Sequence, residues 1–381
     1  MRIVVLGWYG TETIGDRAIL TGIFSFLAKA FSDLDVCLGS LYPFFSERTA
    51  QEDASLWRDI TGCNIRLSIF NSKRPSSVDE AIAKSDLVVM AGGPLMDIDE
   101  LFLVEYAFKK AKKTGKRTAV LGCGVGPLSS ALYARSVIEI VKNSDLTILR
   151  DSVSKQTLNS IFSEHGESPN AEKILVAFDP SMECLMWWAR ANPVCQGNYV
   201  CVNLREFPSN YCDREIYVNS SLFKFVDSLA ERFFDREILL LPMHYFHSGN
   251  DDRAFLNQVA FASAKSNIRA QNQNLTLEET MRVYRNASFN VGMRFHSVVF
   301  QTALSGRNYV LDYTQPQSGK ISGFLRDIDS EGFYRKRYFN LQVQSATCDM
   351  IHANSPAFAI NWDLVATRNS VYSNELSRLF R

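Results

Sequence analysis

The chain has 381 residues, 46% hydrophobic and 22% charged, with 41 lysines and arginines against 41 aspartates and glutamates. That composition excludes a mainly disordered chain, and the length asks for two domains rather than one. A zero formal net charge speaks against nucleic acid as the main partner, since binding a phosphate backbone ordinarily shows as a basic excess. The eight cysteines contain no C-x-x-C pair and read as reduced core thiols rather than zinc or redox ligands. The apolar run at 3–6 is too short for the core of a signal peptide, and no stretch approaches the roughly 20 apolar residues of a membrane span, so a cytoplasmic location is expected.

Residues 3–6 (Ile-Val-Val-Leu) read as a buried strand. The turn Gly7-Trp-Tyr-Gly-Thr-Glu-Thr-Ile-Gly15 then opens onto a helix over 16–31, which makes the first unit of a doubly wound α/β domain. Its spacing is not G-x-G-x-x-G, so a nicotinamide cofactor is poorly supported. Gly10 and its neighbouring glycines let a ligand come close to the backbone, and Asp16 is either the N-cap of the helix or a ligand contact.

Further strands are expected at 36–41, 65–69, 86–90, 118–121, 146–149 and 175–179, with helices between them at 46–57, 77–84, 101–115, 131–143 and 153–162, and another at 182–190. The strand at 86–90 ends in Ala91-Gly92-Gly93-Pro94-Leu95-Met96-Asp97. Ligands of open parallel sheets lie beyond the carboxyl ends of the strands, which puts Gly92 and Gly93 on the floor of a cleft. Asp97 either receives a sugar hydroxyl or satisfies its own loop. The lysines at 109–113 form a charge run that reads as a solvated face. Arg150 closes the strand at 146–149 and either meets a ligand or pairs with Asp151.

Residues 191–198 are the best linker candidate, and a second α/β series follows with strands at 199–203, 237–241, 288–292 and 308–313. His244 and His247 follow the second of these; without an obvious third ligand no metal is expected, and His244 is read as a polar group facing the cleft. Thr276-Leu-Glu-Glu279 is a capping box. The centre of this half is Met293-Arg294-Phe295-His296, at the junction of a strand and a helix over 297–305. Unpaired backbone N–H groups at a helix start attract anions, and a guanidinium beside them adds a bidentate grip on carboxylate or phosphate. Lys320 follows the next strand end and should point into the same cleft. From about 330 the tail is irregular, with a terminal helix over 361–381.

Together these motifs describe an α/β chain of two Rossmann-like domains facing each other across a cleft, a GT-B-like arrangement, over 1–190 and 198–360 with a C-terminal helix at 361–381. The chain resembles the polysaccharide pyruvyl transferase family. The matching pieces are Gly10-Thr-Glu-Thr-Ile-Gly-Asp-Arg-Ala-Ile-Leu20, Ala91-Gly-Gly-Pro-Leu-Met-Asp97, Gly124-Val-Gly-Pro127, Leu149-Arg-Asp-Ser152, Asp179-Pro180, Gly292-Met-Arg-Phe-His296 and Lys320-Ile-Ser-Gly-Phe324, in order over about the first 325 residues. Thr13 stands where the family usually has asparagine, Arg17 where it usually has glutamate, and Pro94 where a small hydroxyl residue is common. All three fall in the half to which the resemblance assigns the acceptor.

The resemblance implies transfer of pyruvate from phosphoenolpyruvate to two hydroxyls of a sugar in a surface polysaccharide or its lipid-linked precursor, with release of phosphate. It implies no cofactor and no metal, and action in the cytoplasm with peripheral contact at the inner membrane face. Arg150, Arg294 and Lys320 would meet the trianionic donor together with His244 and His296, with His296 moving the proton and Arg294 and Arg150 as its catalytic companions. Gly10, Asp16, Gly92, Gly93 and Asp97 would face the acceptor. The alternative is a GT-B glycosyltransferase whose cationic cleft binds the diphosphate of a nucleotide-sugar.

Overall fold

The computed structural model of the chain describes residues 1–170, 173–207, 215–246, 249–352 and 354–381. Its central strands are short apolar runs buried on both faces, which is what a parallel sheet requires. The first sheet holds β1 (Arg2–Leu6), β2 (Asp35–Ser40), β3 (Arg66–Asn71), β4 (Leu87–Ala91), β5 (Pro94–Leu95), β6 (Arg117–Val125), β7 (Leu146–Leu149) and β8 (Ile174–Val176). They run parallel in the order β3-β2-β1-β4-β6-β7-β8, with β5 beside the far end of β6. Between them come α1 (Ile14–Ala30), α2 (Pro43–Thr61), α3 (Pro75–Ala83), α4 (Leu101–Lys113), α5 (Ala131–Lys142), α6 (Ser152–Glu164) and, after β8, α7 (Ser181–Ala191).

Alternation along the strands sorts the core into two layers. Val4, Val88, Met90 and Val120 pack with Val78, Phe108, Val137 and Phe162 from α3 to α6. Ile3, Val5, Val89 and Leu121 pack instead with Phe24 of α1, Trp57 of α2 and Tyr372.

The second sheet holds β9 (Tyr199–Asn203), β10 (Glu237–Leu240), β11 (Ile268–Ala270), β12 (Phe289–Gly292), β13 (Asn308–Asp312) and β14 (Tyr338–Asn340), all parallel in the order β11-β10-β9-β12-β13-β14. Its helices are α8 (Glu215–Arg232), α9 (Asp252–Ala262), α10 (Leu277–Asn286), α11 (Phe295–Leu304) and α12 (Lys320–Ile328), and α13 (Trp362–Arg378) ends the chain. The capping box at Thr276 is present, with Thr276 and Glu279 each bonding the other's backbone N–H.

The chain divides into two compact units, one of residues 1–11, 16–187 and 362–381 and the other of 12–15 and 188–361. Short pieces therefore differ from the division read off the sequence, residues 188–190 at the start of the second unit among them. Residues 12–15 group with the second unit, where Ile14 N donates to Met243 O at 3.1 Å and Tyr245 N to Glu12 O at 3.2 Å. The terminal helix is part of the first unit: Tyr372 stacks on Phe26 at 4.4 Å and its hydroxyl donates to Phe178 O at 2.8 Å. Aromatic anchors at helical spacing carry no address in the sequence, so only the packed chain reveals which core they fill.

Strand order reverses between β1 and β4 in the first sheet and between β9 and β12 in the second. Such switch points leave a crevice outside the carboxyl ends of the strands where ligands of this architecture bind. A cavity of about 380 Å³ in the first unit lies elsewhere, between α2 and β3, lined by Trp57, Arg58 and Ile65 among others. Among the described residues no helix is long and apolar enough to cross a membrane.

Candidate active site

In the second unit, four adjacent strand ends bring the charged residues together. Arg205 follows β9 and Arg294 follows β12, so the two guanidinium-bearing residues flank the switch point. Asn203 ties the two ends by accepting from Arg294 N at 3.0 Å, and Arg205 N lies 3.5 Å from the Met293 sulfur. Arg294 is the N-cap residue of α11, in extended conformation and without a side-chain cap. The first turn of α11 therefore starts beside its charge.

The Arg294 side chain is held rather than open. Its Nε donates to both oxygens of Asp252 at 2.7 and 2.8 Å and its Nη2 reaches Oδ1 at 2.6 Å. Asp252, at the start of α9, also accepts from the N–H groups of Met243 at 3.0 Å and His244 at 3.2 Å. One buried carboxylate thus fixes the guanidinium and the end of β10 together, and the anion site expected at Arg294 carries a built-in counter-ion. His244 is buried beside it, with Nδ1 2.7 Å from Thr13 Oγ1. Thr13, one of the three departures from the family pattern, so bonds within the second unit rather than the half assigned to the acceptor. His247 lies outside the described residues.

His296, in the first turn of α11, packs its imidazole against the backbone of Gly15, where a Cβ would overlap the ring. Phe295 meets the same ring edge-on at 5.0 Å, and Phe324 of α12 supports Phe295 at 6.1 Å. Lys320, which follows the end of β13, is the first residue of α12. Its ammonium lies 5.5 Å from the ring centroid of Tyr313, and the Arg205 guanidinium lies 5.3 Å from the same ring. Tyr313 is 1% exposed and directly follows β13.

The residues expected on the first unit are more fully engaged. Arg150 is 4% exposed, with Nε 3.5 Å from Asp151 and Nη1 3.5 Å from Asp179, so two buried carboxylates share its charge. Gly124 leaves room for it, since a Cβ there would lie 2.6 Å from the guanidinium. Asp151 also caps α6 by accepting from Ser154 N. Asp16 is inside the first turn of α1, which begins at Ile14, so it is not the N-cap but still faces the positive end of the helix.

Gly10, Gly92 and Gly93 have positive φ, and Cβ atoms there would strike Ser40 and Tyr42, Ile19, and Trp8 respectively. These glycines serve close packing of the protein on itself. Asp97 accepts from Ser129 N at 2.6 Å through Oδ2 and also from the Ser129 hydroxyl, while its buried Oδ1 has no hydrogen-bond partner. Arg17, where the family usually has glutamate, bonds Asp53 through Nε at 2.8 Å and Glu52 through Nη1 at 2.8 Å. Pro94 opens β5 and accepts from the Trp8 indole at 3.1 Å.

Arg205, Tyr313 and Asp252 were not among the candidates read from sequence. For Arg205 a signal existed, because strand, apolar residue and arginine recur as Tyr199-Val-Cys-Val-Asn-Leu-Arg205 and Phe289-Asn-Val-Gly-Met-Arg294. What the second unit assembles is a set of cations at the ends of β9, β12 and β13 with an imidazole beside them, suited to a small anion bearing more than one charged group. Among the described residues no group of three or more His, Cys, Asp or Glu is placed to hold a metal ion.

Residues 14–314 match the model of the family described as polysaccharide pyruvyl transferase. None of the curated proteins compared with the chain matches it. Among solved structures, the UDP-GlcNAc 2-epimerase of Methanocaldococcus jannaschii is 12% identical with a TM-score of 0.58, covering 100% of this chain and 99% of its own. The UDP-GlcNAc 2-epimerase of Neisseria meningitidis bound to UDP-GlcNAc is 14% identical with a TM-score of 0.56 and covers 100% of both chains. The trehalose-6-phosphate synthase OtsA is 10% identical with a TM-score of 0.54, covering 100% of this chain and 98% of its own. At such identities the likeness is one of fold: parallel α/β, two Rossmann-like units, GT-B-like.

Proposed function

The chain belongs to the polysaccharide pyruvyl transferase family, and from that premise we propose that it transfers pyruvate from phosphoenolpyruvate onto two hydroxyls of one sugar, giving a cyclic ketal and inorganic phosphate. The observation that carries the reading is the convergence of Arg205, Arg294 and Lys320 at neighbouring strand ends of one sheet, with His296 at the adjoining helix start. Phosphoenolpyruvate carries a carboxylate and a phosphate, and a cluster of fixed cations matches both groups.

In this reading the donor's methylene carbon takes a proton, and the oxocarbenium-like carbon so formed is attacked by one sugar hydroxyl, which loses its proton in turn. The second hydroxyl then displaces phosphate from the same carbon. One proton enters at the methylene, two leave the hydroxyls and one goes out with phosphate. His296 is the group proposed to move the first of these. Its ring is held by Gly15 and Phe295, which fixes orientation before the donor arrives. Arg294 contributes charge already aligned by Asp252, and His244 holds the β10 end in place. Arg150 enters with its charge shared by Asp151 and Asp179, so its proposed part is to shape the strand ends of the first unit.

For the acceptor, the partnerless Oδ1 of Asp97 supports a contact with a sugar hydroxyl. Asp16 is proposed beside it, while Gly10, Gly92 and Gly93 shape the backbone there. The acceptor is proposed to be a polysaccharide unit or its lipid-linked precursor, met in the cytoplasm at the inner membrane face. The test is phosphate release from phosphoenolpyruvate in the presence of a panel of pyranosides. Acceptor-dependent release supports the reading. Indifference to phosphoenolpyruvate, with nucleoside diphosphate released from a nucleotide-sugar, would replace it with the glycosyltransferase reading that the UDP-GlcNAc-bound structural neighbour brings to mind.

A further inference from the structure

Tyr313 is a buried phenol among cations contributed by three different elements. Lys320 comes from the first residue of α12, Arg205 from the segment after β9, and Arg294 from the N-cap of α11. The first two stand over the ring at 5.5 and 5.3 Å, and the charge of all three bears on the hydroxyl. Two carboxylates stand nearby, and the charge of Asp312 also bears on Lys320. Asp252 holds Arg294, and Asp312, on the strand that leads to Tyr313, accepts from Thr314 N at 2.7 Å and from the Tyr338 hydroxyl at 2.6 Å.

Crowded cations repel one another, and an anion in their midst relieves that repulsion. A ligand can supply the anion, and so can the phenol. We propose that Tyr313 is the proton-exchange group of this pocket, its hydroxyl ionising while the cations hold no ligand and taking a proton back from solvent when an anionic donor binds among them. The inference rests on the reading of this pocket as the donor site. Donor binding and proton uptake are then one event, and Tyr313 is a positioning residue that acts through Lys320 and Arg205.

The electrostatics run the same way. Burial alone would hold the proton on the phenol, but the charges of Lys320, Arg205 and Arg294, with a hydrogen bond from Lys320, outweigh it and bring the group down from 10.0 to about 7. As pH rises through that value the phenolate competes with the donor. Donor affinity then weakens by about tenfold per pH unit above the midpoint. The last ionisation of a phosphate monoester lies at about pH 6, so the loss is read above neutrality.

Tyr313→Phe keeps the ring beneath both cations and removes only the exchangeable proton, so it serves as the control. Near-ultraviolet tyrosinate absorbance of the free protein, titrated from about pH 6 to about pH 9, should show one ionisation near neutrality that Tyr313→Phe lacks. Phosphoenolpyruvate added at about pH 8 should quench that signal. Calorimetry in buffers of different ionisation enthalpy should show proton uptake by the wild type and none by the variant, whose donor affinity should stay level with pH. Identical titrations of the two proteins overturn the proposal whatever binds. Donor binding that leaves the tyrosinate signal unchanged overturns it too. If phosphoenolpyruvate does not bind, the donor reading fails on its own account, and inorganic phosphate decides the coupling: quenching supports it and an unchanged signal overturns it.

Discussion

The imidazole of His296 rests on the backbone of Gly15, in the space that a Cβ at position 15 would fill. Gly15 lies in the first turn of α1 without a left-handed backbone, so alanine suits the helix there by about 1 kcal/mol over glycine. Gly15→Ala should therefore fold normally and yet displace the His296 ring, the proposed proton carrier. A misplacement of about an ångström costs on the order of 100-fold, to be read as kcat for phosphate release from phosphoenolpyruvate. Combined with His296→Ala it should cost nothing further; additive losses would mean that Gly15 acts through some other contact.

Asp252 is the counter-ion of Arg294 and the acceptor for two backbone N–H groups. Asp252→Asn keeps an acceptor in place but removes its charge. The pocket gains net positive charge while Arg294 loses its alignment. Steady-state kinetics should show a lower KM for phosphoenolpyruvate together with a lower kcat. A change confined to KM would mean that the alignment of Arg294 is unimportant.

Arg17 is buried with Asp53, and its pairing is independent of the proposed chemistry. Arg17→Ala strips the buried Asp53 carboxylate of its guanidinium, at a cost of about 3–5 kcal/mol. Replacing Asp53 by leucine in the same chain should recover much of that loss. Denaturant unfolding measures both. Wild-type stability in Arg17→Ala would show that solvent reaches Asp53.

Burial pushes the Cys123 thiol up to about 12 from an ordinary 9.0, against the opposing charge of Arg150. The folded chain keeps this proton over a range in which the unfolded chain has lost it. Its contribution to stability is present in full below 9.0 and is lost as pH rises from there toward about 12. Alkylation of the folded protein at mildly alkaline pH should label the exposed Cys195 and spare Cys123, as read by peptide mass mapping. Labelling of Cys123 at the same rate would mean that the strand ends of the first unit open readily.

Much of the fold was legible because buried parallel strands announce themselves as apolar runs that end in glycine. The run at 86–90 and its Gly-Gly end are the clearest case. What escaped was short or disguised. β11 and β14 are three residues each and owe their existence to pairing with a longer neighbour. No helix was read at α12, where Ser322 and Gly323 interrupt the pattern, although Ile321, Phe324, Leu325 and Ile328 already carry helical spacing on its buried side.

The site shows a similar division. Arg294, His296 and Lys320 were identifiable because each follows a strand end. Asp252 was not, because it meets Arg294 from 42 residues away, and Asp179 meets Arg150 from another strand end altogether. Charge compensation across such distances changes what an arginine can do, and it exists only in the packed chain.

The central claim is tested most directly by the mass of the acceptor. Incubated with phosphoenolpyruvate and a pyranoside that supports phosphate release, the protein should yield a sugar heavier by one pyruvate less one water, with one phosphate formed for each product molecule. His296→Ala should abolish that product. A sugar heavier by a second sugar less one water, formed from a nucleotide-sugar and not from phosphoenolpyruvate, would contradict the account.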